Sequence, residues 1–294
     1  MTALAARLTA ARPRLDPRSH IARADLVDIA LADQVAAARY VEPLAMRCTV
    51  PRTAMRAAGD PAATAISELL HGEDFDLFDL AGEWAFGRSA ADRYTGWVLA
   101  AALAEPGAEP GAEPGPDPTH RVTARTAPLF AAPDIKAPLL SELPFGARLA
   151  GTSGDRFLAV TTGGFVHNRH LAPLPQDPVA IARMFTGAPY LWGGRTPAGV
   201  DCSGLVQVAL AACGIACPRD SDQQQIVGTA IAYADRMAGD LVFFPGHVGI
   251  LSAPDTLLHA NAHWMAVVEE PLADVIARLV ASGVEHPVLG VRRP

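Results

Sequence analysis

The sequence lacks the features that mark nucleic-acid-binding, membrane-spanning and secreted proteins. Its formal net charge of −7 at pH 7 argues against nucleic acid or an anionic membrane surface as the main partner. It has no apolar run long enough to cross a bilayer. The first 20 residues carry scattered arginines, without the continuous apolar core and small-residue cleavage site of a secretory signal. We therefore expect a cytoplasmic protein.

Cysteine is also scarce, with four residues in the whole chain: Cys48, Cys202, Cys213 and Cys217. In a chain with no secretory signal, this number predicts free thiols and not a disulfide framework. Gly214 separates Cys213 from Cys217, and no histidine pair lies near them in the sequence. Because a complete zinc site needs four ligands, these two do not suggest one. We expect no metal and no other cofactor.

Half of the 294 residues are apolar, which predicts a folded protein with room for two or three domains. The clearest boundary is the repeat AEPGAEPGAEPGPDP at 104–118. Its proline and glycine content predicts an extended, exposed linker. At the N-terminus, residues 1–47 are predicted as a helical segment, because 20–47 are rich in alanine.

Short apolar segments broken by turns occupy residues 48–103 and include the alternating DFDLFDL. Such closely spaced strands predict a small β-barrel. Residues 119–175 repeat the same order of features: a strand after a glycine, an aromatic strand, a glycine turn, and an aromatic–valine pair. That pair is GWV in the first segment and GFV in the second, so we predict a tandem of two small barrels.

The sequence pattern changes again over residues 176–294. An Asp-Pro pair begins an amphipathic helix, and a glycine-rich loop then leads into the apolar helix CSGLVQVALAACG, which ends at Gly214. Four strands, a further helix and a final strand follow. Helices followed by an antiparallel sheet predict an α+β domain.

Cys202 lies at the start of that apolar helix. Asp201 is a good N-cap, and the positive helix N-terminus can stabilise a thiolate and lower the thiol pKa. The small Ser203 and Gly204 leave room for a substrate carbonyl, and the Cys202 amide can donate to an oxyanion. A cysteine in an apolar helix is more often a core residue, so its place beside Asp201 is what favours a nucleophile.

A thiolate nucleophile needs a base, and His247 follows a Pro-Gly turn at the start of a predicted strand. His259 lies twelve residues further on, so the two rings could be neighbours across an antiparallel ladder. One histidine could then orient the other, as in a nucleophile–base–orienter arrangement. His263 is the alternative orienting residue. The remaining histidines considered are interpreted as surface or structural residues: His167, His170 and His286.

Several motifs occur in the order found in the NlpC-type cell-wall cysteine peptidases: PYLWGGRTPAGVDCSGLVQVAL, PRDSDQQ, GDLVFF, HVGI and LLHA. The chain from residue 178 to about 294 resembles that family. The resemblance implies a papain-like fold, with Cys202 as nucleophile, His247 as base and His259 as the orienting residue. It also implies that Tyr190 sits beside the catalytic cysteine and assists the oxyanion.

Two small barrels before such a domain are similar to the SH3-like tandem of the cytoplasmic γ-D-glutamyl-L-diamino acid endopeptidases, the dipeptidyl-peptidase VI type. These enzymes recycle murein peptides that begin with a free L-alanine. The resemblance implies that the first barrel closes one end of the cleft. It also implies that the substrate ammonium is held by Asp201, Ser203, Tyr94 and an acidic residue, with Glu73 as the candidate and Glu83 as its alternative.

The expected partner is thus a murein peptide substrate, and the chain is expected to act as a monomer. Two other functions stay open at this point: a catalytically inactive muropeptide-binding protein, and an acyltransferase or amidase on the same fold. Convergence of Glu73, Asp201 and Tyr94 on one pocket would favour the peptidase, and their dispersal would favour the transferase.

Overall fold

The computed structural model describes residues 15–106 and 117–294. Most of the predicted linker at 104–118 and the first 14 residues of the predicted helical segment lie outside the described residues. Within the described ranges, every helix is too short or too polar to span a membrane.

The described part of the N-terminal segment, residues 15–47, contains no α-helix, so the prediction of a helical segment is wrong there. It contains a parallel pair of two-residue strands and one 3₁₀ turn: Val27–Asp28 (β1), Tyr40–Val41 (β2) and Ile29–Leu31. Ile21 and Leu26 are buried against Phe78 and Phe86 of the first barrel. Packing of these side chains on the barrel therefore overrides the helical propensity of the alanines.

The first barrel contains seven strands in the order β5-β4-β8-β7-β6-β3-β9, and each pair of neighbours is antiparallel. The strands are Leu44–Cys48 (β3), Arg52–Arg56 (β4), Ala65–Leu70 (β5), Asp74–Ala81 (β6), Trp84–Ser89 (β7), Thr95–Leu99 (β8) and Leu103–Ala104 (β9). Met55, Leu69, Phe75 and Val98 fill its core. The barrel begins at Leu44, four residues before the predicted boundary, because the strand beginning there pairs with β6.

The second barrel contains a five-stranded sheet, β12-β11-β16-β15-β14, and the short pair β10-β13. Its strands are His120–Arg121 (β10), Thr126–Phe130 (β11), Leu139–Pro144 (β12), Arg148–Leu149 (β13), Gly151–Ser153 (β14), Phe157–Val160 (β15) and Phe165–His167 (β16). Val122, Leu143, Leu158 and Val166 form its core. A 3₁₀ turn, Asn168–Leu171, ends the unit within the predicted range 119–175.

The C-terminal domain has the predicted α+β architecture. Its helices are Pro178–Arg183 (α1), Cys202–Ala212 (α2), Ser221–Gln224 (α3) and Leu272–Ala281 (α4). Its strands are Arg195–Thr196 (β17), Gly199–Val200 (β18), Thr229–Ile231 (β19), Leu241–Phe244 (β20), His247–Ala253 (β21), Thr256–Asn261 (β22), Ala266–Pro271 (β23) and Gly290–Arg293 (β24). The last six form an antiparallel sheet in the order β19-β24-β20-β21-β22-β23.

Two apolar layers cover the two faces of that sheet. Helices α1 and α2 pack with Phe243 and Ile250 in one cluster, whereas α4 packs with Val242 and Leu251 in the other. Successive strand residues point to opposite faces, which explains why Val242 and Phe243 belong to different layers. Helix α2 thus packs on strands β21 and β22 in the interior of the sheet, and the candidate site lies where its first residue meets β21.

The first barrel packs directly on the C-terminal domain through buried charge. The guanidinium of Arg195 contacts both carboxylate oxygens of Glu73 at 3.1 and 3.2 Å, and its backbone amide donates to Glu68 at 2.8 Å. Gly193 has φ +80°, and a Cβ there would lie 2.7 Å from the carbonyl oxygen of Ala65. Only glycine combines this backbone conformation with so close an approach. The loop before α2 is therefore fixed against strand β5.

Candidate active site

Cys202 is the first residue of α2, directly after its N-cap. The Asp201 side chain accepts a hydrogen bond from the Gly204 amide at 2.7 Å, the arrangement expected of a capping aspartate. Gly204 makes room for backbone and not for a substrate, because a Cβ there would lie 2.3 Å from the Gly194 carbonyl oxygen. The sulfur is therefore held at the helix start by a tightly packed turn.

The thiol does not have the lowered pKa expected from its place on the helix. Burial, followed by the nearby Asp201 charge, raises the pKa of the Cys202 thiol to about 11. Hydrogen bonds from the Val248 and Ser203 amides and the charge of Arg219 oppose this rise without overcoming it. The expectation of a resting thiolate is thus wrong, because desolvation outweighs the helix N-terminus. The thiol is neutral at pH 7.

His247 and His259 are direct neighbours, as the predicted pairing of their strands requires. The Nε2 atom of His247 lies 2.8 Å from Nδ1 of His259, and the His259 ring is fully buried. Gly249 makes this possible, since a Cβ there would lie 3.0 Å from the His259 Cβ. His263, the alternative orienting residue, is exposed and packs its ring against Trp264.

Burial and the second imidazole together keep the base neutral. They lower the pKa of His247 to about 3, with desolvation as the larger cause and the neighbouring His259 as the smaller one. Burial also lowers the pKa of His259, against the opposing effect of Glu270. At pH 7 the resting pair is therefore a neutral thiol and a neutral imidazole. The backbone of Val248, the residue after His247, contacts the Cys202 sulfur, which places both groups in one site.

A carboxylate that the sequence analysis missed completes this row of side chains. Glu270, on β23, accepts a hydrogen bond from His259 at 2.8 Å and from Arg278 at 2.7 Å. Burial acts to raise its pKa, but the hydrogen bonds from Arg278 and His259 outweigh that effect and lower the pKa to about 2. Nothing in the run VVEE distinguishes Glu270 from Glu269, so no local signal could have identified it.

A cleft of about 340 Å³ opens beside the sulfur, and three parts of the chain line it. Arg18 comes from the N-terminal segment and Tyr94 from the first barrel, whereas Cys202, Trp192 and Asp220 come from the C-terminal domain. The first barrel therefore forms one wall of the cleft next to the sulfur.

Comparison with known proteins identifies the two parts of the chain that build the cleft. Residues 187–280 match the model of the NlpC/P60 family, and residues 55–103 match that of the bacterial dipeptidyl-peptidase Sh3 domain. The C-terminal domain is an NlpC/P60 domain.

Curated relatives agree with this assignment. The chain is similar to a gamma-D-glutamyl-L-lysine dipeptidyl-peptidase of Bacillus cereus, with 35% identity over 37% of this chain and 34% of that protein. It is 26% identical to dipeptidyl-peptidase 6 of Lysinibacillus sphaericus, over 69% of this chain and 82% of that protein. A probable endopeptidase of Corynebacterium glutamicum shows 46% identity over 28% of this chain, and the match spans 41% of its length.

A solved structure shares most of this fold. A Bacillus cereus NlpC/P60 family protein superposes with a TM-score of 0.69 and 22% identity, covering 85% of this chain and 99% of that one. At this identity the similarity shows the fold alone. The papain-like NlpC/P60 domain, preceded by SH3-like barrels, agrees with the predicted architecture.

Tyr190 lies beside the cysteine of the NlpC/P60 domain, as the resemblance implied. Burial, followed by the charges of Cys202 and Asp201, raises the pKa of its phenol to about 12. The hydroxyl therefore stays protonated at neutral pH and is available as a hydrogen-bond donor.

Of the four residues predicted to hold a substrate ammonium, the structure places three on the cleft. Tyr94, Asp201 and Ser203 line it, whereas Glu73 does not, because its buried carboxylate is paired with Arg195. The alternative, Glu83, is exposed in the turn between β6 and β7 and is likewise not a lining residue. Neither glutamate is in a position to contact a ligand in this cleft.

Asp201 lines the cleft, but its charge is already matched. Arg219, which is 1% exposed, donates to both carboxylate oxygens of Asp201 at 3.0 and 2.6 Å. The Gly193 amide donates to the same carboxylate at 2.8 Å. Asp201 therefore orders the start of α2, and its charge is already paired with a buried cation.

Asp220, which the sequence analysis did not single out, is another acidic residue that lines the cleft. The Tyr94 hydroxyl donates to its carboxylate at 2.9 Å, and Arg18 contacts it at 2.8 Å. Arg18 also pairs with Asp16 and Asp222, so one cation faces three carboxylates. This end of the cleft has a net negative charge.

Proposed function

We propose that this protein is a cysteine endopeptidase that hydrolyses the γ-D-glutamyl-L-diamino acid bond of murein peptides with a free N-terminal L-alanine, and that it acts in cell-wall peptide recycling. The observation that carries the proposal is the position of Cys202 on a cleft with an acidic end, with its sulfur in contact with the backbone of Val248, directly after His247 of the His247–His259 pair. The names of two relatives, gamma-D-glutamyl-L-lysine dipeptidyl-peptidase and dipeptidyl-peptidase 6, support the substrate class.

The chemistry begins with proton transfer, because the resting thiol is neutral. Nδ1 of His247 takes the proton of Cys202, and the sulfur attacks the γ-carbonyl carbon of the D-glutamyl residue. Tyr190 and the helix amides donate to the resulting oxyanion. The C–N bond then breaks as His247 returns its proton to the leaving amine. Water hydrolyses the thioester and frees the dipeptide.

The acidic end of the cleft supports selection of a free amino group. An ammonium beside Asp220 would form a charge-assisted hydrogen bond and reduce the excess negative charge around Arg18. An N-blocked peptide would leave that carboxylate partly desolvated and without a cation. The wall formed by the first barrel, through Ile66 and Tyr94, supports a substrate that ends at this point.

The experiment compares the wild type with Cys202→Ala on L-Ala-γ-D-Glu-diaminopimelate and on its N-acetylated form, with mass spectrometry of the released dipeptide. We expect the wild type to cleave only the free peptide at an appreciable rate and the variant to cleave neither. Cys217→Ala is the matched control, because Cys217 is another buried free thiol and lies away from the cleft. Its activity should be unchanged.

Three results would overturn the proposal. Cleavage by Cys202→Ala at the wild-type rate would exclude the nucleophile. Binding of the peptide by the wild type without turnover would indicate the inactive binding protein, and release of product only from another amide or ester would indicate the amidase or transferase.

We also propose that the protein acts in the cytoplasm. Free thiols at all four cysteines suit a reducing compartment, where Cys202 would stay active. Cell fractionation with an antibody against the chain tests the location, and recovery outside the cytoplasm would end the recycling role.

A further inference from the structure

We propose that Glu270 is a positioning residue that fixes the tautomers of both active-site histidines, so that Nδ1 of His247, the ring nitrogen that does not contact His259, is left free to accept the thiol proton. The inference rests on the proposed function for its catalytic consequence. The hydrogen positions themselves belong to the resting protein and do not depend on the substrate.

The Glu270 carboxylate can only accept hydrogen bonds. Arg278 contacts both of its carboxylate oxygens, at 2.5 and 2.7 Å, and the Trp264 indole donates to it at 3.2 Å. The Asn261 amide nitrogen lies 3.3 Å away. Surrounded by these donors, the carboxyl is ionised at neutral pH, and an ionised carboxylate has no proton to give.

The contact with Glu270 determines the tautomer of His259. Its Nε2 atom lies 2.8 Å from Oε1 of Glu270, and a lone pair on that nitrogen would face the carboxylate charge. Nε2 therefore carries the proton. The neighbouring Asn261 amide, 3.1 Å from the same nitrogen, uses its hydrogens on Glu270 instead. Nδ1 of His259 is left as an acceptor.

The tautomer of His259 in turn determines the tautomer of His247. The acceptor Nδ1 of His259 lies 2.8 Å from Nε2 of His247, so that Nε2 carries the proton. The remaining nitrogen, Nδ1 of His247, then has a lone pair. Without a fixed acceptor at Glu270, both hydrogen bonds could have the opposite direction, with the hydrogen on Nδ1 of each histidine instead of Nε2. In that arrangement His247 could not take a proton from Cys202.

Glu270→Gln tests this assignment, because a glutamine has the same shape but can present an amide donor to His259. When the glutamine oxygen accepts from Arg278 and its nitrogen donates to His259, the hydrogen of each histidine is favoured on Nδ1. We expect kcat to fall by at least about tenfold with KM nearly unchanged, since wrong-tautomer variants of triads lose turnover and not binding.

The matched control is Glu269→Gln, the adjacent carboxylate on the same strand. Glu269 pairs with Arg183 and accepts from Ser252, away from the histidines. It should keep wild-type kcat. A loss of kcat of the same size in both variants would show a general effect of removing charge from β23 and would overturn the inference.

The decisive readout is the tautomer itself, measured without substrate by ¹⁵N–¹H correlation of the imidazole rings, with His247→Gln and His259→Gln used for assignment. The wild type should carry hydrogen on Nε2 of both rings, and Glu270→Gln should gain the Nδ1-H forms. Hydrogen on Nδ1 of either wild-type ring would overturn the inference. If the predicted tautomers are found but no murein peptide is cleaved, the substrate assignment fails and the role of Glu270 stands.

Discussion

At the scale of single residues, the acidic side chains in and around the cleft differ in how fully their charge is neutralised. Asp201 and Glu73 are each neutralised by a buried arginine, Arg219 and Arg195. Asp220 pairs with Arg18, which it shares with Asp16 and Asp222. An ammonium ligand therefore gains most from Asp220.

Replacing Asp220 by asparagine should weaken selection of the free amino end. A hydrogen bond to a charged group contributes about 1.5–3 kcal/mol, so we expect kcat/KM for the free peptide to fall roughly 10- to 100-fold. The slow reaction of the N-acetylated peptide should change little. Asp16→Asn is the control, because Asp16 also pairs with Arg18 but does not line the cleft. An equal loss on both peptides would assign Asp220 to folding and not to recognition.

At the scale of elements, the orientation of helix α2 is fixed by contacts of its first turn and not by an amphipathic pattern. All residues from Cys202 to Leu210 are buried, so the helix has no solvent face that would fix its rotation. The Asp201 cap, its pairing with Arg219, and the approach of Gly204 to Gly194 fix it instead. The position of the sulfur depends on these contacts.

Asp201→Asn removes the negative charge but keeps the helix cap, because asparagine caps a helix as well as aspartate does. It leaves the buried Arg219 guanidinium without its anion, and breaking a buried pair in this way costs about 3–5 kcal/mol. The free energy of unfolding, from denaturant titration, should fall by that amount. Asp177→Asn makes the same change at the exposed cap of α1 and should lie within about 0.5 kcal/mol of wild type. Equal values for the two variants would contradict the role given to the Asp201–Arg219 pair.

At the scale of the whole molecule, the cleft exists because the first barrel is held against the NlpC/P60 domain. Arg195 makes buried contacts across that interface, with Glu73 through its guanidinium and with Glu68 through its amide, and Arg219 donates to Ser67. Tyr94 and Asp220 make a further contact beside the sulfur. Barrel and catalytic domain thus form one binding site.

Arg195→Met should loosen this interface by leaving Glu73 buried without a counter-ion. We expect a loss of about 3–5 kcal/mol in the free energy of unfolding, measured by denaturant titration. Arg52→Met is the matched control, because Arg52 pairs with Glu68 but its side chain is 42% exposed. Because the Arg52 guanidinium lies partly in water while Glu68 is buried, we expect a smaller loss for this control, on the order of 1 kcal/mol. A cost for Arg195→Met no larger than for the control would show that the interface does not depend on this pair.

Several features of the site were determined by the sequence alone, because they depend on neighbours along the chain. A capping aspartate before Cys202 sets the helix start, and a short hairpin spacing brings His247 to His259. Strand alternation and glycine turns were enough to predict the barrels and the α+β domain. The alanine-rich N-terminal segment misled the prediction, since its conformation is set by apolar contacts with the barrel and not by local propensity.

Tertiary structure alone decided the charges and the partners of the site. Tyr94 and Asp220 are 126 residues apart in the chain, and Glu68 and Arg195 are 127 apart, so no local pattern couples them. The raised thiol pKa and the role of Glu270 also depend on burial and on side chains from other elements. Electrostatic energy depends on distance and solvent exposure in the folded protein, which neighbouring residues in the sequence do not specify.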